Sequence, residues 1–186
     1  MKTFYDGEQI PNKVMSPLVR KYIEIFSREP WNESWTPEEA RQKIEKDFCG
    51  NGAFLAVSFK NDEVLGFAWG KLLKVGEIYD RIKRSLPIDK EINFSLPRKM
   101  MVIYFDETAV DREKRRGLLS FRHLINVGLD YGKENGAEKV IFWSTPQSSI
   151  VPITKKFGYE EIERLSLPEN EIVFLLGEII RSKAEA

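Results

Sequence analysis

Met100-Met101-Val102-Ile103-Tyr104-Phe105-Asp106-Glu107-Thr108-Ala109-Val110 decides the fold when read together with three later segments: a basic loop from Asp111 to Arg116, a long helical pattern from Gly117, and the apolar run Lys139-Val140-Ile141-Phe142-Trp143-Ser144. Two apolar runs joined by a helix of this length form one parallel strand–helix–strand crossover. Asn135-Gly136 is a good stop for that helix, because glycine adopts the left-handed cap conformation without strain. Phe121, Leu124, Ile125, Gly128 and Gly132 share one of its faces. Two glycines inside a helix cost about 2 kcal/mol relative to alanine, so this face is expected to press closely on a sheet.

Working towards the N-terminus, Phe54–Phe59 and Val64–Gly70 flank the polar turn Lys60-Asn61-Asp62-Glu63 and read as an antiparallel hairpin. Thr36-Pro37-Glu38-Glu39 supplies a capping threonine, a first-turn proline and a capping-box glutamate for a helix to about Phe48. An earlier helix is expected from Pro17 to about Arg28, with Ser16 as its cap. The charged stretch Lys74–Lys99 reads as an excursion between strands with a short helix at Ile78–Arg84. Towards the C-terminus, a helix from Gln147 or Ser148 to Phe157 precedes a last hairpin, Tyr159–Leu165 and Ile172–Ile179. The expected architecture is α/β: a mixed, mostly antiparallel central sheet with one parallel strand pair and helices on both faces, in a single domain over residues 1–186.

Composition narrows the function classes. The 186 residues carry 29 basic and 29 acidic side chains, a balance that argues against a dedicated nucleic-acid binder. One cysteine, Cys49, and one histidine, His123, leave no set for a structural zinc site, so no metal is expected. No run approaches the length of a membrane span, and Met1–Asp6 lacks the apolar core of a secretory signal. The expected setting is cytoplasmic, with no membrane and no nucleic acid as partner.

Ala109-Val110, Arg116-Gly117, the helix to Glu134-Asn135-Gly136-Ala137, the strand Val140–Ser144 and Lys156-Phe157-Gly158-Tyr159 resemble, in that order, the central strand, cofactor loop, helix, next strand and terminal Leu-Gly-Phe signature of the GNAT superfamily of acyl-CoA-dependent N-acyltransferases. The resemblance runs from about Met15 to Glu178. It implies a GNAT-like fold, acetyl-CoA as acyl donor, and a primary amine of a small molecule or protein as acceptor. Coenzyme A carries a pyrophosphate, which a helix N-terminus can hold with backbone N–H groups. By the resemblance Arg115, Arg116, Gly117, Leu118, Leu119 and Ser120 hold the phosphates. Backbone groups of Thr108, Ala109 and Val110 polarise the thioester carbonyl, and Gln147 stands for an asparagine often seen nearby.

Two differences from the family pattern stand out. The usual loop reads Arg/Gln-x-x-Gly-x-Gly/Ala. Here one spacing matches Arg116-Gly117-Leu118-Leu119-Ser120-Phe121 and another Lys114-Arg115-Arg116-Gly117-Leu118-Leu119, so at least one loop glycine is replaced. Arg112, Lys114, Arg115 and Arg116 supply cations that can hold phosphates through side chains instead, or form a solvated basic loop. The position where many members place an acidic tyrosine is Thr154, a far weaker proton donor.

An amine is protonated near neutral pH and must lose a proton before it attacks a thioester. Glu107, on the central strand near where the family's catalytic carboxylate often sits, is the candidate base. Asp106 is expected on the opposite face by strand alternation. Either carboxylate can equally be a hydrated strand-end group. Trp31, Asn32 and Glu33, with Trp35 close behind, form either an aromatic-walled acceptor pocket or a hydrophobic staple over a helix turn. His123 reads as a surface residue, Trp69 and Trp143 as core, and Cys49 as inert. Ile172, Phe174 and Leu176 alternate as on a core-facing strand or one pairing across a homodimer. The rival to an enzyme is a GNAT-like fold that has lost catalysis and acts as a binding module.

Overall fold

The structure is a computed structural model, which describes residues 1–5, 8–29, 31–85, 92–111, 117–148, 150–167 and 171–179. In chain order they form β1 (Lys2–Tyr5), α1 (Asn12–Phe26), α2 (Pro37–Phe48), β2 (Ala53–Lys60), β3 (Glu63–Lys74), α3 (Val75–Ser85), β4 (Met101–Val110), α4 (Gly117–Glu134), β5 (Lys139–Ser144), α5 (Ile150–Lys156), β6 (Glu160–Ser166) and β7 (Glu171–Glu178). The strands make a seven-stranded sheet in the order β1-β2-β3-β4-β5-β7-β6. The parallel register pairs Val102 with Lys139, Ile103 with Val140 and Tyr104 with Ile141. The strand–helix–strand crossover therefore forms as its sequence dictates.

The chain divides into two compact units. One comprises Met1–Lys71 and Phe105–Tyr131; the other comprises Leu72–Tyr104 and the residues from Gly132 onward. In the first unit, β2 and β3 join through Asn61 and Asp62, both at positive φ (49° and 63°), the backbone of a tight primed hairpin turn. Alternate residues Leu55, Val57, Phe67 and Trp69 pack with Val14, Leu18, Tyr22 and Ile44 of α1 and α2. On the other side, Phe54 and Phe105 meet edge to face, and a Cβ at Gly128 of α4 would stand 2.5 Å from the Phe105 ring and 2.6 Å from that of Phe54. Only glycine lets the helix lie this close, as its sequence pattern implies. In the second unit, the Ile103 side chain fills the space a Cβ at Gly132 would need. Its core gathers Ile78, Val102, Tyr104, Ile141 and Phe174.

Several boundaries differ from expectation for identifiable reasons. α1 starts at Asn12 rather than Pro17, with Pro17 inside it and Ser16 exposed rather than capping. The earlier turn buries Val14 and Met15 on the same stripe as Leu18, Val19 and Tyr22, and this offsets the one hydrogen bond that Pro17 cannot donate. β1, short and half exposed, carries no alternation that would announce it; it pairs with β2 from Lys2–Val57 to Tyr5–Phe54. α3 is longer than the Ile78–Arg84 helix expected inside the excursion. β7 has β5 on one edge and β6 on the other, and Ile172 and Phe174 face the core. Trp69 is fully buried, Trp143 half buried, and His123 and Cys49 are exposed.

The α2 cap forms in full: the Thr36 hydroxyl accepts from the Glu39 N–H, and the Glu39 carboxylate accepts from the Thr36 N–H at 2.9 Å. Hydrogen bonding to Thr36 holds the Glu39 carboxyl below its ordinary range. Thr36→Ala is expected to cost about 1 kcal/mol of stability, read as a lower denaturant midpoint at unchanged slope.

Candidate functional site

β4 does not alternate strictly. Phe105 faces Phe54 and Gly128 on the α4 side, whereas Ala109, of the same parity, belongs to the core under α1 and α2. Odd positions thus change face between them. Glu107 lies past that change and turns towards α2, where the Lys43 Nζ stands 3.5 Å from its Oε1. Lys43 is also ion-paired with Asp47, one helical turn along α2, and the Trp69 indole N–H donates to Asp47 Oδ2 at 3.4 Å. The Asp106 charge acts on both Lys43 and Glu107.

The electrostatics follow from that arrangement. The Glu107 side chain is only 13% exposed. Burial pushes its carboxyl up to about 8; Lys43 opposes the shift, while Asp47, Asp106 and Glu33 reinforce it. Burial lowers the Lys43 ammonium, but Glu107, Asp47 and Asp106 outweigh it and leave the amine above its ordinary value. The Tyr22 phenol, buried in the α1–α2 core and near Glu107, Glu33 and Asp47, is raised and stays protonated. Tyr22 meets Trp35 edge to face at 5.6 Å and lies against Trp69 at 5.8 Å.

The connector divides its roles. Trp31 covers Phe26 at 5.5 Å, which is the stapling arrangement, and Asn32 is exposed with φ 50°, turning the chain. Glu33 accepts from the Trp35 indole N–H at 2.6 Å and contributes its charge to Glu107. Of the three expected acceptor residues, Glu33 therefore reaches the Glu107 environment, while Trp31 packs on a helix and Asn32 makes a turn.

The remaining expected residues sit on β4, at the start of α4 and around α5. Thr108, Ala109 and Val110 continue β4, and the Thr108 hydroxyl is buried with no hydrogen-bond partner among the described residues. Arg112, Lys114, Arg115 and Arg116 lie outside the described residues. Gly117, Leu118, Leu119 and Ser120 form the first turn of α4, so the spacing that reads Arg116–Phe121 as loop is replaced by helix. The first N–H groups of this turn have no acceptor within the helix. Gln147 is exposed in a turn ahead of α5 rather than in that helix. Thr154 is 1% exposed, and its hydroxyl donates back to the carbonyls of Ile150 and Val151 at 2.9 and 3.0 Å. It is a packing residue of α5, and a proton-donor role is withdrawn.

Sequence reasoning missed Lys43, Asp47 and Tyr22. A signal for Asp47 exists: it occupies the apolar stripe of α2 with Ala40, Ile44 and Phe48, where a carboxylate needs a reason. Among the described residues no group of three or more His, Cys, Asp or Glu could hold a metal ion, and no helix is long and apolar enough to cross a membrane.

No family model matches the chain, and no curated protein matches it in sequence. Solved structures do match. The chain resembles an aminoglycoside 6'-acetyltransferase type Ii (12% identity, 97% of this chain and 99% of that one, TM-score 0.63). It also resembles an acetyltransferase of the GNAT family from Streptococcus pneumoniae (10% identity, 95% and 99% covered, TM-score 0.58). A third match is NAA60 from Arabidopsis thaliana, solved in complex with acetyl-CoA (14% identity, 87% and 93% covered, TM-score 0.55).

Proposed function

The chain has the GNAT fold, and from that premise we propose that it transfers an acetyl group from acetyl-CoA directly to a primary amine, with Glu107 as general base. The observation that carries this reading is Glu107 itself: a nearly buried carboxyl pushed up to about 8 beside an ammonium. A base titrating near the working pH is the one best matched to deprotonating an amine. Neighbouring carboxylates Glu33, Asp47 and Asp106 and the Trp35 ring favour a cationic acceptor, on a small molecule or a protein.

In this reading the ammonium of the acceptor gives a proton to Glu107, directly or through one water. The free amine attacks the thioester carbonyl; as the adduct collapses the carbon–sulfur bond breaks, and the nitrogen's second proton passes through water to the departing thiolate. Backbone groups of Thr108 to Val110 polarise the carbonyl, with the buried Thr108 hydroxyl as an added hydrogen-bonding group. The α4 first turn, Gly117 to Ser120, receives phosphate at its N–H groups, with Arg115 and Arg116 preceding it. Water relays that proton to the sulfur in this reading, the Thr154 hydroxyl being turned back onto its own helix.

Titration calorimetry with acetyl-CoA tests the first half. Binding is expected in the micromolar range and weakened at least about tenfold when Lys114, Arg115 and Arg116 are replaced by alanine. Absence of binding at millimolar acetyl-CoA would sink the acetyltransferase reading. The inward-turned Thr154 hydroxyl favours the alternative, a non-catalytic module, which predicts no turnover with any amine in a mixed panel.

A further inference from the structure

Glu107 is faced by titratable groups from the elements packed around it: Tyr22 of α1, Glu33 of the connector, Lys43 and Asp47 of α2, and its strand neighbour Asp106. Tyr22 is neutral, so the charges acting on Glu107 among the described residues are three carboxylates and one ammonium. A carboxyl that is nearly buried among three like charges keeps its proton and cannot accept another. The cation in this group therefore decides whether Glu107 can act as a base.

The geometry gives that cation a defined seat. Lys43 and Asp47 are four residues apart and lie on one face of α2. Asp47 is held from below by the Trp69 indole N–H and is itself 9% exposed, so its carboxylate is anchored on the buried side. The Lys43 ammonium rests between this carboxylate and Glu107, with its side chain 30% exposed. Asp47 thus has two opposed effects: it fixes the ammonium near Glu107, and it takes up part of that ammonium's charge while adding a negative charge of its own.

We propose that Lys43 is a positioning residue of the acyl-transfer site, the built-in countercharge that allows Glu107 to release its proton inside a buried acidic pocket, with Asp47 as the anchor that limits how strongly it does so. This rests on the reading of Glu107 as the base. It makes a signed prediction that a merely structural role for the pair does not share. Asp47→Asn keeps an oxygen that can hold the ammonium and removes only the negative charge, so it must shift Glu107 in the direction opposite to loss of the ammonium.

The experiment uses the full chain. Carbon-13 carboxyl titration by NMR, without acceptor or acetyl-CoA, follows the Glu107 midpoint in wild type, Lys43→Met, Lys43→Arg and Asp47→Asn, with Glu107→Gln to assign the signal. Lys43→Met is expected to move the midpoint to higher pH by about one unit or more, a tenfold change in proton affinity. Lys43→Arg keeps it near the wild-type position, and Asp47→Asn moves it to lower pH. The acid limb of kcat/KM for an acetylated amine follows the same order, with rate recovered at high pH in Lys43→Met. A midpoint that stays put in Lys43→Met, or moves the same way in both variants, overturns the proposal. Since the titration needs no turnover, the failure of acetyl transfer with every amine would count against the enzyme reading alone.

Discussion

Glu107→Gln is expected to slow acetyl transfer about 10²- to 10⁴-fold, the contribution of a positioned general base, while leaving acetyl-CoA affinity nearly unchanged. The substitution keeps the side chain's shape and removes only its ability to take a proton. Its effect on stability has the opposite sign. The folded carboxyl titrates at about 8, above its ordinary value, so folding favours the protonated form. As pH rises from the ordinary carboxylate value towards about 8, the unfolded chain ionises and the folded one resists, and stability falls over that window. Glu107→Gln escapes this penalty. Its melting temperature should equal that of wild type near the ordinary carboxylate value and exceed it increasingly up to about pH 8. A variant as active as wild type at saturating acetyl-CoA would remove Glu107 from the mechanism; a constant melting difference across that window would show that the carboxyl is not shifted.

The second large effect concerns Lys21, which ties α1 to the end of β4. Lys21 and Asp111 are each 4% exposed, and the ammonium lies 3.0 Å from Asp111 Oδ2 and 2.7 Å from Glu24 Oε2. The Asp111 N–H also donates to the Leu65 carbonyl at 2.8 Å, so this residue fixes the chain where it leaves the sheet for the basic loop. Lys21→Met is expected to destabilise by about 3–5 kcal/mol, because a buried carboxylate loses its lysine. Lys21→Met with Asp111→Leu should recover most of that loss, since the carboxylates that remain, Glu24 and Glu63, reach solvent. Burial lowers the lysine's affinity for its proton, but Glu24 and Asp111 outweigh it and raise it overall. The pair's contribution is therefore complete below the ordinary lysine value and is lost only as pH climbs through the raised one. Chemical denaturation at about pH 7 and above about pH 11 checks both points; a loss under about 1 kcal/mol at neutral pH would place the pair among weak surface bridges.

The crossover, the hairpin turn at Asn61-Asp62, the α2 cap and the glycine face of α4 were legible because each is a local rule with one outcome. Gly128 and Gly132 even foretold what they touch, since a helix keeps such residues only against a close neighbour. The site was half legible. Glu107 could be singled out by its place on the strand, but its neighbours could not. A period of two has no way to announce that Phe105 and Ala109, of one parity, take opposite faces. Lys43 and Asp47 looked like one more i,i+4 pair on a charged helix, and only tertiary packing turns that pair towards Glu107. Trp31 and Trp35, close in sequence and alike in chemistry, part company because Phe26 takes the first ring while Glu33 and Tyr22 take the second.

The order of strands at one edge of the sheet has a consequence for synthesis. β7 leaves the ribosome after β5 and β6, yet lies between them. Among the described residues β6 has no hydrogen-bonded neighbour strand but β7, and its register, Glu160 with Leu176 through Ser166 with Glu171, exists only once β7 is in place. A nascent chain that has emerged as far as β6 thus carries a strand with nowhere to dock and a β5 with one edge bare. Until the last strand slots in, both are open to pairing with other chains, so slow translation or premature termination just past Ser166 should yield aggregation rather than a smaller folded protein.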